Sequence, residues 1–221
     1  MPKPGIALTF DDYTVNDWYK CLPLFDSFGV RATYYISNYN KLSREEISKL
    51  KIIQQHGHEI AFHTTNHCNL VKYLNNTSMS KLVQNEIVAG LKKMNADQFY
   101  PTTFAYPYGQ HNQALDNELL KYFKSVRALN GTNNYTKSMA IAGNNKILYG
   151  LGIDVSSKRP LDVLLKLVHN AYENNVCLVF VSHHVDQPQT NLQTPLQNLR
   201  AIIREASSLG MNFYTISEIS N

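Results

Sequence analysis

What most constrains this chain is an alternation that runs nearly its whole length. Short apolar runs at 6–10, 31–36, 60–62, 102–106, 125–129, 147–155 and 176–181 read as strands, because each is strand-length and bounded by turn residues. Between them lie stretches with helical spacing of apolar residues. Residues 16–28 carry Trp18, Leu22 and Phe25, with Pro23 predicting an irregular helix. Ser43 and Glu46 form a capping box opening a helix to about Gln55. A longer helix starts at Ser78 or Ser80, and others follow at about 112–122, 160–174 and 194–208, before a short strand at 213–215. Short apolar strands connected through helices demand a parallel sheet covered on its faces. The expected fold is α/β, an irregular (β/α)7-8 barrel, with an open doubly wound sheet as the competing arrangement. No linker, composition break or internal repeat divides the chain, so residues 1–221 are expected to form a single domain.

Composition narrows the function. Hydrophobic residues make up 43% and charged residues 17% of 221, ordinary for a globular chain. The net charge of +4 is mild, and no basic stripe interleaves with aromatics, so nucleic acid is not an expected partner. No apolar run approaches the roughly 20 residues of a membrane span. Cys21, Cys68 and Cys177 are scattered and odd in number, which gives no disulfide framework. Cys68 follows His67 directly, yet a small buried thiol is the expected role. The start, Met1-Pro2-Lys3-Pro4-Gly5, passes straight into a strand without a signal-peptide core. The expectation is a cytoplasmic protein as written, or the processed form of an exported one.

The strand ends carry the chemistry. Asp11 and Asp12 end the first strand, and His63 the third, in the run His63-Thr64-Thr65-Asn66-His67. Two imidazoles four residues apart share a face if the chain makes a helical turn there. Tyr108-Gly109 follows the fourth strand, Asp154 lies near the end of the sixth, and His183 ends the seventh. In a parallel barrel these ends gather on one face, the face that carries active sites. Metal-type and acid–base side chains on several separate strand ends are hard to explain by packing. Residues 130–145 form a polar loop long enough to serve function.

At these residues the chain resembles a known family. Thr9-Phe10-Asp11-Asp12 and His63-Thr64-Thr65-Asn66-His67 look like the first two motifs of the polysaccharide deacetylases, carbohydrate esterase family 4, or NodB homology domain. Tyr106-Pro107-Tyr108-Gly109 looks like the third motif and Val181-Ser182-His183 like the closing one, in the family's order. The resemblance implies a distorted (β/α) barrel holding one divalent metal, usually zinc and sometimes cobalt or nickel. Carried over, the ligands are Asp12, His63 and His67. A metal-bound water would be the nucleophile, its pKa lowered by the ion, with Asp11 as general base. The backbone N–H of Tyr108 would stabilise the oxyanion, His183 would protonate the leaving amine, and Asp154 would orient His183. The implied substrate is a carbohydrate bearing N-acetylated amino sugars, of chitooligosaccharide, poly-N-acetylglucosamine or peptidoglycan type. Oligomeric state stays open.

The chain departs from the pattern in three places. The third motif usually begins with an Arg that positions the base, and here Ala105 stands there; strand order offers Arg127 as a substitute. The Gly that normally follows Asp-Asp is Tyr13, and no Trp accompanies Asp154, which Val155 follows. Tyr13, Tyr35, Tyr106, Tyr108 and Tyr149 fall near strand ends, where rings could stack on sugars, although core packing accounts for most tyrosines. Two rivals remain: a hydrolase of a non-sugar amide such as a cyclic ureide or formamide, and a glycan-binding module without catalysis.

Overall fold

A computed structural model describes residues 3–132, 134–140, 143 and 145–220, so part of the polar 130–145 segment lies outside the described residues. Seven strands form a closed wall: β1 (Gly5–Asp12), β2 (Ala32–Ile36), β3 (Glu59–Phe62), β4 (Thr103–Ala105), β5 (Ser125–Leu129), β6 (Ile147–Gly152) and β7 (Cys177–Ser182). They pair in parallel and in chain order. β7 then returns to β1, from Gly5↔Cys177 to Phe10↔Ser182, and shuts the barrel. Of the expected seven or eight strands, seven build the wall. Among the described residues no helix is long and apolar enough to cross a membrane.

The period-two alternation of a strand decides what faces where. On β1, Ile6, Leu8 and Phe10 join the core under the helices, while Ala7 faces the barrel interior with Tyr35, Ala61, Ala105, Leu148, Cys177 and Val179. Small wall residues leave room for two large ones. Tyr35 and Arg127 are fully buried, with the guanidinium carbon of Arg127 5.0 Å from the Tyr35 ring centroid. Gly150 also makes space: a Cβ there would clash with Val181 and press on Arg127 Cδ. The floor is closed by the helix Ile216–Ile219, whose Ile216 and Ser217 N–H groups donate to Thr33 and Glu59.

Several boundaries differ from the sequence expectation, each for a local reason. The 16–28 helix is two, Val15–Lys20 and Leu22–Phe28, broken at Cys21 with Pro23 in the first turn of the second. The sixth strand ends at Gly152, and Asp154 lies beyond it at the start of a short turn, Val155–Ser157. The helix expected at 112–122 is shorter, Gln113–Leu119. Thr194 is no helix residue: Gln193–Thr194 pairs with His184–Val185, and the helix begins at Leu196 after Pro195. Thr215 caps the last helix instead of ending a strand. In the 130–145 segment, Met139–Ala140 runs antiparallel to the start of β7. It fills the wall where β6 and β7 pair only at Leu151↔Phe180 and Gly152↔Val181.

Candidate metal and acid–base site

Two neighbouring strand residues normally point to opposite faces, so Asp11 and Asp12 need a break to share a site. Asp11 lies in the inward register of Ala7 and Thr9. Asp12 then takes a left-handed conformation, φ +85°, and swings its carboxylate over the barrel mouth. Thr64, His67 and Tyr108 are left-handed too, at φ +66°, +54° and +60°. Such backbone costs on the order of 1 kcal/mol or more per non-glycine residue and gathers where geometry matters more than ease of folding.

His63 and His67 do not sit on a helix. They flank a loop whose ends turn left-handed, and their ring centroids lie 5.0 Å apart. The helical segment over 79–96 braces that loop. Its middle, Val83–Val88, widens into a π-turn that carries Glu86 inward. Glu86 accepts from the Asn66 backbone N–H at 3.1 Å and the Asn66 amide at 2.8 Å, while its carbonyl accepts from Thr65 N–H at 2.9 Å. Gly90, one turn further on, lets the helix press against Phe62 and Thr65. Sequence reading missed Glu86, which looked like one more polar residue on a surface helix.

One ligand atom each from Asp12, His63 and His67 lies within 4.8 Å of the others. Asp12 Oδ1 is 3.1 Å from His67 Nε2 and 3.8 Å from His63 Nε2, and although buried it accepts no well-aligned hydrogen bond among the described residues. His63 Nδ1 donates to the Ala105 carbonyl at 2.8 Å, which fixes the tautomer and leaves Nε2 with a lone pair. Burial, outweighing the charges of Asp11 and Asp12, lowers the His63 pKa to about 4, so the ring is neutral at pH 7. Burial opposes ionisation of Asp12, but His67 against it and the charges of His63, His183 and His67 hold its carboxyl at about 2. Three potential ligand atoms converge there, and Asp12 Oδ1 has no well-aligned partner among the described residues, so a cation would complete the set. Two nitrogens and one carboxylate oxygen fit zinc-type ions.

Asp11 sits on one side of this triad. Its Oδ1 is paired with the Arg127 guanidinium, and Oδ2 faces the site 3.9 Å from His63 Nε2. Ala105 and Arg127 are register neighbours on β4 and β5, so a guanidinium one strand over reaches the barrel interior behind Asp11. His183 follows β7, whose Ser182 pairs with Phe10 of β1. Its Nδ1 is 2.6 Å from Asp154 Oδ2, leaving Nε2 for the cleft. Asp154 is held in turn by the Ser182 hydroxyl at 2.9 Å and the Thr194 hydroxyl at 3.1 Å. Burial disfavours charge on His183, but the Asp154 hydrogen bond and the charges of Asp11, Asp154 and Asp12 raise its pKa to about 9. His184 points away and is bound to Asp17 at 2.7 Å.

Tyr108 is exposed on the rim, its ring centroid 4.9 Å from that of His67. Beside it opens a cleft of about 420 Å³ lined by Cys68, Asn69, Lys72, Tyr73 and Tyr108. A larger cleft, about 660 Å³ between Tyr39, Leu42, Ile47 and Lys93, lies away from these residues. Tyr13 is on the rim too, with Lys41 over its ring. Tyr35 and Tyr106 are buried and offer no ring to a ligand; Tyr106 donates to Asp116. Cys68 is only half-buried and lies outside the metal-type cluster, its thiol pushed up to about 12 mainly by burial.

The family model for polysaccharide deacetylase matches residues 1–123. No curated protein sequence matches the chain. Several solved structures share its fold. The family 4 carbohydrate esterase of Streptomyces lividans in complex with acetate aligns with TM-score 0.67 at 17% identity, covering 99% of this chain and 95% of that one. The peptidoglycan deacetylase PdaC of Bacillus subtilis aligns with TM-score 0.64 at 16% identity, over 98% and 90%. BA3943 of Bacillus anthracis, a pseudoenzyme of the same esterase family, aligns with TM-score 0.66 at 16% identity, over 99% and 66%.

Proposed function

The chain belongs to the polysaccharide deacetylase family, and from that premise we propose that it is a metal-dependent hydrolase removing N-acetyl groups from amino sugars of a glycan. One observation carries this reading: a base candidate and an acid candidate both adjoin a three-ligand site, each held by a buried partner of opposite charge. Asp12, His63 and His67 would hold the ion, zinc first, with cobalt or nickel as alternatives. When bound, a divalent ion there supplies Lewis acidity toward the acetyl carbonyl and activates a water at neutral pH.

The remaining work falls to the chain's own side chains. Asp11 takes the proton of the attacking water through Oδ2, because Arg127 occupies Oδ1 and keeps the carboxylate aimed. The tetrahedral oxyanion is met by the backbone N–H of Tyr108, in a turn preset by its left-handed conformation. A preorganised donor of this kind is worth about 10²-fold or more in rate. His183, charged at neutral pH through Asp154, gives the Nε2 proton to the departing amine. An amine leaves poorly unless protonated, and a positioned acid typically contributes about 10²–10⁴-fold.

The test is acetate release by the purified protein, loaded with zinc, from a panel of N-acetylated chitooligosaccharides and peptidoglycan fragments beside small cyclic amides and formamides. Turnover of the acetylated sugars alone is expected. Hydrolysis only of the cyclic amides or formamides would move the chain to a non-sugar amidase, and glycan binding without any turnover would make it a binding module.

A further inference from the structure

β7 ends at Ser182, so the carbonyl of His183 lies past the last ladder pairing with β1, Phe10↔Ser182. A buried carbonyl without a partner is unfavourable, and a strand end must find one elsewhere. Here two side chains converge on it. The indole Nε1–H of Trp18 donates at 2.8 Å and the Thr14 hydroxyl at 3.3 Å. On the other side of the same residue, the His183 backbone N–H donates to Asp154 Oδ1 at 3.3 Å. The next residue is locked as well: His184 Nδ1 meets Asp17 Oδ2 at 2.7 Å, and Gln187 donates to Asp17 Oδ1 at 2.8 Å.

Thr14, Asp17 and Trp18 belong to one short stretch that begins directly after Asp11-Asp12. The segment that supplies base and ligand thus reaches the neighbouring strand end and grips the backbone of the acid. Trp18 is fully buried and is the only tryptophan of the chain; its ring packs 5.0 Å from that of Tyr34, so the indole has little freedom to swing.

We propose that Trp18, assisted by Thr14, is a positioning residue for the acid step: by holding the His183 carbonyl it fixes where Nε2 meets the leaving nitrogen. The inference rests on the deacetylase reading. Asp154 sets the ring's orientation and charge; the Trp18–Thr14 clamp sets the place of the residue itself. Geometry of this kind matters, since displacing a catalytic group by about 1 Å can cost roughly 10²-fold.

An acid step can be isolated by leaving group. Expelling an amine from the tetrahedral adduct requires its nitrogen to gain a proton, whereas 4-nitrophenolate departs without one. Metal-loaded wild type, Trp18→Phe and Thr14→Val are assayed on an N-acetylated chitooligosaccharide and on 4-nitrophenyl acetate. The ratio of amide to ester turnover should fall by about tenfold or more in W18F and by a smaller factor in T14V. An unchanged ratio, whether both rates fall together or neither does, overturns the proposal, because a merely structural role would lower both. T14V is nearly isosteric and decides the matter should W18F fold poorly. Wild type that turns over neither substrate removes the underlying reading, and the inference with it.

Discussion

Arg127→Met tests the pairing on which the base depends. The guanidinium is fully buried and, among the described residues, only its Nη2 meets a protein acceptor, Asp11 Oδ1. Asp11 is itself 3% exposed, so its charge has little water to fall back on. Removing one partner of a buried ion pair leaves the other uncompensated, at a cost of about 3–5 kcal/mol. For a chain of this length each kcal/mol lowers Tm by roughly 2–4 °C, so a loss of about 6–20 °C is expected for metal-free protein. The same substitution made on Asp11→Asn should cost far less, because a carboxamide and a thioether leave no buried charge behind, and such replacements are often neutral. A double-mutant cycle read by urea unfolding of the four metal-free proteins gives the coupling. A coupling under about 0.5 kcal/mol, the range of independent sites, would refute the argument that Arg127 is held there by Asp11.

The other expectations concern the site. Wild type should bind about one divalent ion per chain, and His63→Ala or His67→Ala should lose it; full occupancy in both by elemental analysis would sink the ligand set. Asp11→Asn should keep the ion and lose turnover, whereas Asp12→Asn should weaken the ion itself. Glu86→Gln sets an amide N–H against the Asn66 donors and should lower metal affinity about 10–100-fold, with unchanged affinity by competitive titration ruling out the brace. His183→Ala should cost about 10² or more in kcat with metal retained, and His184→Ala much less; the reverse ranking would place the wrong imidazole at the substrate. The proposed mechanism uses His183 protonated, so kcat should fall as pH rises through its pKa, about 9 without metal. A bound cation moves that limb lower, and Asp154→Asn lower still; a limb insensitive to D154N would exclude the pair. In the metal-free protein the same raised pKa contributes stability that is complete below an ordinary histidine pKa of about 6.5 and lost as pH rises through about 9.

What was legible in the sequence is what local periodicity and strand-end chemistry can encode. The seven wall strands stand out because their apolar runs are short and the turns between them explicit. The inward side of β1 follows from alternation. Asp12 facing the same way as Asp11 does not, since it depends on a left-handed residue that no composition rule announces. Glu86 was invisible for a similar reason: a π-turn shifts a helix face by one residue, and the sequence there looks like ordinary helix. Trp18 read as an apolar face residue, which it is. Its N–H finds a carbonyl 165 positions away, a partner only the closed barrel brings near. The pairing of His184–Val185 with Gln193–Thr194 is two residues long on each side, too short for any period to register.

A guanidinium on β5 stands behind Asp11, where the resembled motif would place one on β4. In a parallel barrel, register neighbours on adjacent strands project to the same side, a few ångströms apart. Ala105 and Arg127 are such neighbours, so a guanidinium on β5 reaches the place one on β4 would fill, provided the wall beyond gives way. Gly150 on β6 is where it does: a Cβ there would crowd Arg127 Cδ, whose guanidinium already lies against the Tyr35 ring. The arrangement therefore spans three strands: Ala on β4, Arg on β5 and Gly on β6. A fold shared with a pseudoenzyme cannot by itself argue for chemistry. The position of atoms can, and here a cation stands behind Asp11 Oδ1 although the motif residue that would supply it is absent.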